Sequence, residues 1–460
     1  MRRAKRSKRS VGLRSAGLLL ASIIAVACGA APTGAEQKPA PPGAPNVLIF
    51  VTDDQRADST LALMAATRKW FTRRGRTFTH AYATTPLCCP SRTSILTGQY
   101  VHNHGVRKNN QGHRLPQKRT LQRTLWLSGY NTALAGKFLN GWPLERDPPF
   151  FDRWAFQRWG YYDTQFNVNG TIEDVAKYST TYTGDRAVEF LDEFETEDPV
   201  PWFMYVAPFA AHKPFIAQER YAKANVGKWH GNPAVRERNL SDKPEFIKNR
   251  RLTPQEGHQL RKKQLRTLLS ADDVVGRVMQ RLKQNGELND TLAFFISDNG
   301  FSWGEHHLNG KRLPYKESVR VPLLMRWPGH VARKSEDHRL VSNLDLAATI
   351  YGATRIDPPH RLDGMSLLKK KVRDRLLLES YGNFQNGLPS WASTLTSTYQ
   401  YVEYYGRKGK RIFREYYRMD RDPWQLKNLL GNRTHRDDPW GPPLKAQLAQ
   451  DRACIGDSCP

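Results

Sequence analysis

Four short runs of uninterrupted apolar residues decide most of what this chain can become. Val47–Thr52 (VLIFVT), Thr132–Ala135, Trp202–Ala207 and Thr291–Ser297 (TLAFFIS) show no polar alternation. Each therefore reads as a strand buried on both faces, not as one side of a half-solvated ribbon. Helical patterns lie between them. The clearest covers Ala271–Asn285, where Val274, Val275, Val278, Met279 and Leu282 mark one face, Asp272 and Asp273 sit in the first turn, and Gly286 follows the end. Strands alternating with helices predict an α/β fold with a large, mainly parallel sheet flanked by helices. After about residue 370 the pattern changes. Leu376–Leu378, Ala392–Thr396, Tyr399–Tyr405 and Arg411–Arg418 look like short strands joined by turns such as Gly406–Gly409, which predicts a smaller C-terminal antiparallel sheet and then a tail.

Composition narrows the class. With 460 residues, 39% of them hydrophobic, the chain can build a large core, which excludes global disorder. Five cysteines are too few for a disulfide scaffold, and none has zinc-site spacing. Cys454 and Cys459 can close a short disulfide loop in an oxidising compartment, or stay as two thiols in a frayed tail. Arg2, Arg3, Lys5, Arg6, Lys8, Arg9 and Arg14 precede an apolar run from Leu18 to Ala27 that is short for a membrane span. This reads as a signal peptide over residues 1–27 with export, and Ala25 and Ala27 supply the small residues of a cleavage site. A retained N-terminal anchor is the alternative. Cys28 then offers a lipid anchor point at the outer face of the membrane. Residues 28–45, rich in Pro, Ala and Gly, read as a tether. The formal charge is +27, with basic clusters at Arg68–Arg76, Arg261–Arg266, Lys369–Arg375 and Arg407–Arg411. They lack the aromatic interleaving of a nucleic-acid module, so anionic glycan partners fit an exported chain better than nucleic acid. A plain bias toward arginine, with no ligand, is the alternative.

Chemistry gathers at one end of the predicted strands. Asp53 and Asp54 follow the first, Lys137 the second, His212 comes soon after the third, and Asp298 and Asn299 follow the fourth. In an open parallel sheet the carboxyl ends of strands line the ligand crevice, so these residues can converge. Three carboxylates and an amide oxygen form a hard donor set suited to Ca²⁺ or Mg²⁺. A solvated loop is the ordinary reading of one Asp-Asp pair, but a second Asp-Asn pair at another strand end favours a metal. The sharpest local feature is Leu87-Cys88-Cys89-Pro90-Ser91-Arg92-Thr93-Ser94-Ile95-Leu96-Thr97-Gly98. Pro90 suits a first helical turn and Gly98 its exit, so Cys88 sits at or just before a helix N-terminus, where an anion is favoured. Arg92 adds a fixed cationic fork. A buried structural thiol is the plainer reading of Cys88.

Cys88-x-Pro90-Ser91-Arg92 followed by Leu96-Thr97-Gly98 resembles the type I sulfatase signature. The resemblance covers most of the chain. It runs from Asn46–Asp54 through Ala135-Gly136-Lys137, Ala211-His212-Lys213-Pro214, Ser297-Asp298-Asn299-Gly300, Gly304-Glu305-His306, Gly310-Lys311-Arg312 and Tyr315-Lys316-Glu317 to Asp420-Arg421-Asp422-Pro423. Cys88-Cys89-Pro90-Ser91-Arg92, Tyr100-Val101-His102-Asn103-His104 and Gly136-Lys137-Phe138-Leu139-Asn140 resemble the N-acetylglucosamine-6-sulfatases and heparan 6-O-endosulfatases most.

The resemblance implies an alkaline-phosphatase-like sandwich, with a catalytic domain over 46–370, an antiparallel subdomain over 371–445 and a tail over 446–460. It implies that a formylglycine-generating enzyme oxidises Cys88 to formylglycine during maturation. It also implies one divalent cation, Ca²⁺ first among the candidates, on Asp53, Asp54, residue 88, Asp298 and Asn299. Arg92 would stabilise the modified residue, Lys137 and Lys311 would neutralise sulfate oxygens, and His212 would protonate the leaving alcohol. Many arylsulfatases carry a histidine two residues after the lysine, where this chain has Leu139. Asn140, His104 and His306 are therefore the candidate substrate contacts, and Cys89 reads as a small buried filler. The implied substrate is a sulfated sugar, 6-O-sulfated N-acetylglucosamine or a glycosaminoglycan. A phosphomonoester or phosphonate hydrolase of the same superfamily, and a catalytically silent glycan-binding protein, are the alternatives.

Overall fold

The computed structural model describes residues 37–196, 200–431, 436, 438–439 and 441–460. The expected signal peptide, Cys28 and the first part of the tether lie outside the described residues.

Among those residues, ten strands form one sheet: β1 (Asn46–Thr52), β2 (Arg76–Tyr82), β3 (Asn131–Gly136), β4 (Arg153–Gln157), β5 (Thr164–Val168), β6 (Thr171–Val175), β7 (Trp202–Ala207), β8 (Thr291–Ser297), β11 (Leu323–Arg326) and β12 (Ser335–Ser342). A ribbon of β9 (Ser302–Trp303) and β10 (Asn309–Gly310) stands apart. The spatial order is β12-β2-β11-β8-β1-β7-β3-β4-β5-β6. The four apolar runs are the central strands β8, β1, β7 and β3, all mutually parallel. Antiparallel pairing enters only through β11, β5 and β6. Alternate residues of β1 explain its unbroken hydrophobicity. Val47, Ile49 and Val51 pack into one layer with Ile95 and Leu96, while Leu48 and Phe50 pack into the other with Val274, Val275 and Val278. Each such side chain, wholly buried, contributes about 1.5–3 kcal/mol.

The helix behind that second layer is longer than its apolar stripe predicts. It spans Pro254–Gln284. Thr253 caps it, accepting from the Glu256 amide while the Glu256 carboxylate accepts from the Thr253 amide at 2.8 Å, and Pro254 takes the first helical position. Asp272 and Asp273 are therefore mid-helix and not in a first turn. Asp272 is buried and accepts from the amides of Ala66 (2.9 Å) and Thr67 (2.7 Å). The charged run Arg261–Arg266 reads as solvated, yet Arg261, Gln264 and Leu265 are buried inside it.

The last strands, β13 (Arg375–Ser380), β14 (Ser390–Thr396), β15 (Tyr399–Tyr405) and β16 (Arg411–Arg418), form the antiparallel sheet in chain order. Residues 441–460, expected to end in a tail, are docked. A helix spans Gly441–Asp451 with Leu448 buried, and Cys454 and Cys459 form a disulfide. The Cys454 carbonyl accepts from Asn103 Nδ2, and the Gly456 amide donates to Asp363, both within hydrogen-bond distance. The tether also settles by residue 38, whose amide donates to the Leu127 carbonyl. Among the described residues no helix is long and apolar enough to cross a membrane.

Candidate active site

The parallel pairing of β1 with β8 sets Thr52 opposite Ser297, so the residues that follow each strand meet. The Asp54 amide donates to Asp298 Oδ1 (3.2 Å), and Asn299 Nδ2 donates to Asp54 Oδ1 (2.7 Å). The Ser297 hydroxyl accepts from the Gln55 amide at 2.9 Å and fixes the turn. Asp54 itself takes a left-handed conformation, φ 62°, which an Asp tolerates better than a branched residue.

Across the crevice, Leu87 is extended and the helix Cys88–Thr97 begins at Cys88, closing at Gly98 with φ 65°. Cys88 is fully buried. Its Sγ lies 3.4 Å from Asp53 Oδ1 and 2.7 Å from Lys311 Nζ. Burial, then the nearby Asp53, pushes the thiol well above its usual range. As an unmodified thiol Cys88 is a weak nucleophile at neutral pH.

Arg92, one turn further on, is the clamp of the site. Its Nε donates to Asp298 Oδ2 (2.7 Å), one terminal nitrogen to Asp53 Oδ2 (3.3 Å) and the other to the Lys137 carbonyl (2.7 Å). One planar guanidinium thus ties together the ends of β1, β8 and β3, a geometry a lysine cannot reproduce. Lys137 and Lys311 bond to the carboxylates of Asp53 and Asp54. Burial alone would raise the Asp53 carboxyl, but Lys137, His212, Arg92 and Lys311 outweigh it and hold it well below the usual range. Asp298 moves the other way, raised by its burial and by Asp53. His212 places Nδ1 on the Lys213 carbonyl (2.7 Å), leaving Nε2 toward the cluster, 3.8 Å from Asp54 Oδ2. Its burial depresses its pKa against the pull of Asp53 and Asp54.

Ligand atoms of Asp53, Asp54, Cys88 and His212 all lie within 4.8 Å of one another. With Asp298 and the Asn299 side-chain oxygen beside them, the donors are mostly hard oxygens. They fit a divalent cation of the Ca²⁺ or Mg²⁺ type, best when residue 88 also presents an oxygen.

The three residues expected at the sugar, His104, His306 and Asn140, have these protein partners. His104 is a core histidine: Nε2 meets the Ser94 hydroxyl at 3.1 Å, Nδ1 accepts from the Val106 amide at 3.1 Å, and burial pulls its pKa down to about 3. His306 gives Nδ1 to Glu237 (2.6 Å) and stacks on Tyr315. The Asn140 main-chain carbonyl accepts from the Gly112 amide (3.0 Å), and its side-chain oxygen is buried with no hydrogen-bond partner among the described residues.

Two residues escaped the sequence reading. Gln264 is fully buried. Its Nε2 donates to the carbonyls of Asp54 (3.0 Å) and Ala211 (3.2 Å), and its Oε1 accepts from the Trp303 indole (2.6 Å). It joins the metal-side turn to the His212 loop. An uncharged residue within the run Arg261–Arg266 was its only signal. Trp159, 52% exposed, sets its ring against His212 and lies 5.1 Å from Lys137 Nζ, and nothing in its local sequence marks it.

Fold and site together define an α/β protein whose sheet crevice gathers hard oxygen donors beside fixed cations and a helix-start thiol. The chain belongs to the sulfatase family, whose profile matches residues 45–356. A profile described as N-sulphoglucosamine sulphohydrolase, C-terminal, matches residues 304–452. The Extracellular sulfatase SULF-1 homolog of Drosophila melanogaster is 33% identical over 374 residues, 74% of this chain and 33% of its own length. The N-acetylglucosamine-6-sulfatase of Homo sapiens is 34% identical over 360 residues, 70% of this chain and 64% of its own. The chain spans about half or less of the length of the extracellular sulfatases it matches. A protein solved in complex with its substrate D-glucosamine-2-N,6-O-disulfate aligns at 21% identity with a TM-score of 0.78, covering 89% of this chain and 98% of that one. The fold is thus the alkaline-phosphatase-like sandwich that the resemblance implies.

Proposed function

We propose that the chain is an exported sulfatase that hydrolyses sulfate monoesters of sulfated sugars, with 6-O-sulfated N-acetylglucosamine units as the preferred site of attack. The observation that carries the reading is Cys88 Sγ at a helix start, 3.4 Å from Asp53 and 2.7 Å from Lys311, inside a ring of hard oxygen donors. The names of the human and Drosophila relatives, and the substrate of the solved structure, point the same way.

Oxidation of Cys88 to formylglycine would give an aldehyde, and addition of water would convert it to a geminal diol, which keeps a second hydroxyl for releasing sulfate where a serine would have none. Asp53, Asp54, Asp298 and Asn299, with residue 88, would hold a Ca²⁺ ion, which when bound would supply Lewis acidity. The protein's own groups do the rest. Arg92 holds Asp53 and Asp298 in place. Lys137 and Lys311 set positive charge where the sulfate oxygens gain charge in the transition state. His212, oriented by the Lys213 carbonyl, presents Nε2 to hand a proton to the departing alcohol oxygen. Water enters, and alcohol and inorganic sulfate leave.

Export would place residue 28 onward outside, where Cys28 offers a lipid anchor point, and the oxidising enzyme would meet the chain on the way. Mass spectrometry of the peptide spanning Cys88, together with sulfate release from 6-O-sulfo-N-acetylglucosamine, tests the reading. The expected result is an aldehyde mass at residue 88 and turnover of the sulfated sugar. A thiol at residue 88 in active enzyme, or faster cleavage of an aryl phosphonate than of any sulfate ester, would reject it.

A further inference from the structure

Most large aromatic side chains of this molecule are inside it. Trp202, Trp303, Trp391, Tyr205 and Tyr315 are all buried. Burial is their ordinary place, since each ring removes a large apolar area from water. Among the described residues the two most exposed Trp, Tyr or Phe side chains are Trp159, at 52%, and Tyr162, at 39%. Both stand in one loop, between β4 and β5. That loop is pinned. The Arg158 amide donates to the Gln165 carbonyl (2.8 Å), the Trp159 carbonyl accepts from the Thr164 hydroxyl (3.1 Å), and the Gly160 carbonyl accepts from Ser179 Oγ (2.9 Å). The same loop reaches the site. The Tyr161 hydroxyl donates to the His212 carbonyl (2.6 Å). The Trp159 ring centre lies 4.6 Å from that of His212 and 5.2 Å from that of Phe209, and Lys137 Nζ lies 5.1 Å from it. After these contacts half of Trp159 still faces outward, at the mouth of a charged crevice.

We propose that Trp159 is the platform for the sugar that bears the reacting sulfate, stacking on the C–H face of its pyranose ring. The inference rests on the sulfatase reading and deepens it by naming a residue that selects the leaving group. His212 Nδ1 is taken by the Lys213 carbonyl, so the departing alcohol oxygen meets Nε2. Lys137 stands on the sulfate side. A ring 4.6 Å from one and 5.1 Å from the other borders the atoms joined to that oxygen. In a 6-O-sulfate the oxygen is one methylene away from the pyranose. A gluco-configured pyranose carries its substituents around its edge and hydrogens above and below, so each face is apolar. Laid on an indole, such a face removes water from both surfaces. The pinned loop loses little freedom when the sugar arrives. The contact reads ring shape, whereas the lysines read charge.

The test compares two sulfate esters of primary alcohols: 6-O-sulfo-N-acetylglucosamine, and glycerol 1-sulfate, which has no ring face. Trp159→Ala should lower the sugar-to-glycerol ratio of kcat/KM at least about tenfold, about 1.4 kcal/mol. Trp159→Phe, which keeps a flat ring, should hold that ratio within about threefold of the wild type. Trp159→Leu keeps an apolar cover beside His212 without a flat face and should follow the alanine variant. A smaller fall in Trp159→Ala, whether both esters lose activity together or neither does, would overturn the proposal. Equal loss on both would mark a residue acting through His212 and not on the sugar. Leucine serving as well as phenylalanine would overturn it too. In a second arm, calorimetry follows 6-O-sulfo-N-acetylglucosamine binding to the Cys88→Ala protein, where adding Trp159→Ala should raise Kd about tenfold. An unmoved Kd would reject the platform. Failure of the wild type to release sulfate from either ester would sink the sulfatase reading, while the binding arm would still decide the platform.

Discussion

Two hollows in this molecule invite comparison. The larger, about 970 Å³, lies between the helices Ser179–Glu195 and Pro254–Gln284. The smaller, about 290 Å³, lies beside Cys88. Size would favour the first as a binding site, but chemistry favours the second. In the large hollow the charges answer one another: Arg281 meets Asp192 at 2.8 Å, Arg153 meets Glu193 at 2.5 Å, and Arg277 meets Asp185. Such half-exposed pairs each contribute about 0–1 kcal/mol, and the remaining cation of that hollow, Lys69, rests on the Trp70 ring. In the small one Lys108 and Arg312 have no carboxylate partner among the described residues, and Asn109 beside them holds the Cys89 amide. The balance of charge, and not volume, separates the hollow beside Cys88 from the gap between these two helices.

That contrast can be broken or sharpened by substitution. The largest effect belongs to Cys88→Ala, which should reduce sulfate release by at least about 10³-fold with little change in thermal unfolding. Cys89→Ala should cost far less, and full activity in folded Cys88→Ala protein would end the comparison outright. Asp298→Ala comes next. It leaves Arg92 buried with a lost partner, so urea unfolding should show a loss of about 3–5 kcal/mol, and elemental analysis should show the cation lost together with activity. Activity that survives exhaustive chelation would contradict the cation half of this prediction.

Gln264→Leu keeps the volume but strands the Asp54 and Ala211 carbonyls and the Trp303 indole. Chelator competition should show about 10- to 100-fold weaker cation binding, with a stability loss of about 1–3 kcal/mol. His104 gives a pH signature. Its folded pKa of about 3 lies below its ordinary 6.5, so the unfolded chain takes up a proton first as pH falls. The stabilisation from a neutral His104 is present above about 6.5 and is lost progressively toward pH 3. His104→Gln should flatten that part of the urea midpoint against pH without changing KM at neutral pH. Smallest of all is Arg281→Gln in the large hollow: less than about 1 kcal/mol in stability and unchanged kcat/KM. A clear loss of sulfate release there would overturn the ranking of the two hollows.

The sequence made the centre of this molecule legible because burial on both faces leaves a plain trace. VLIFVT and TLAFFIS have no polar position to confuse their reading, and the polar residues after them had to fall at one sheet edge once the strands were parallel. The same logic placed Lys137 and His212. It failed where burial is mixed with charge. The helix start at Pro254 was hidden because Arg261, Lys262, Lys263 and Arg266 surround Gln264 and Leu265, so a buried face looked solvated. His104 looked available because a histidine in a motif carries the same letters whether its nitrogens face a ligand or a serine. The docking of residues 441–460 rests on contacts to Asn103 and Asp363, 351 and 93 positions from their partners, which local patterning cannot reveal.

The pairing of β1 with β8 also has a consequence in time. Hydrogen bonds such as Asp54 to Asp298 join residues 244 positions apart, and Cys88 is sealed only when both strand ends are in place. At a synthesis rate of about 5–20 residues per second, roughly ten to forty seconds separate the appearance of Cys88 from that of Ser297. During that interval the thiol stands open on an unfinished sheet. Under the proposed maturation, an enzyme that must reach the sulfur would have to act before β8 docks, so the chemistry of this residue would be decided by a race between its modifier and the closing of its own fold.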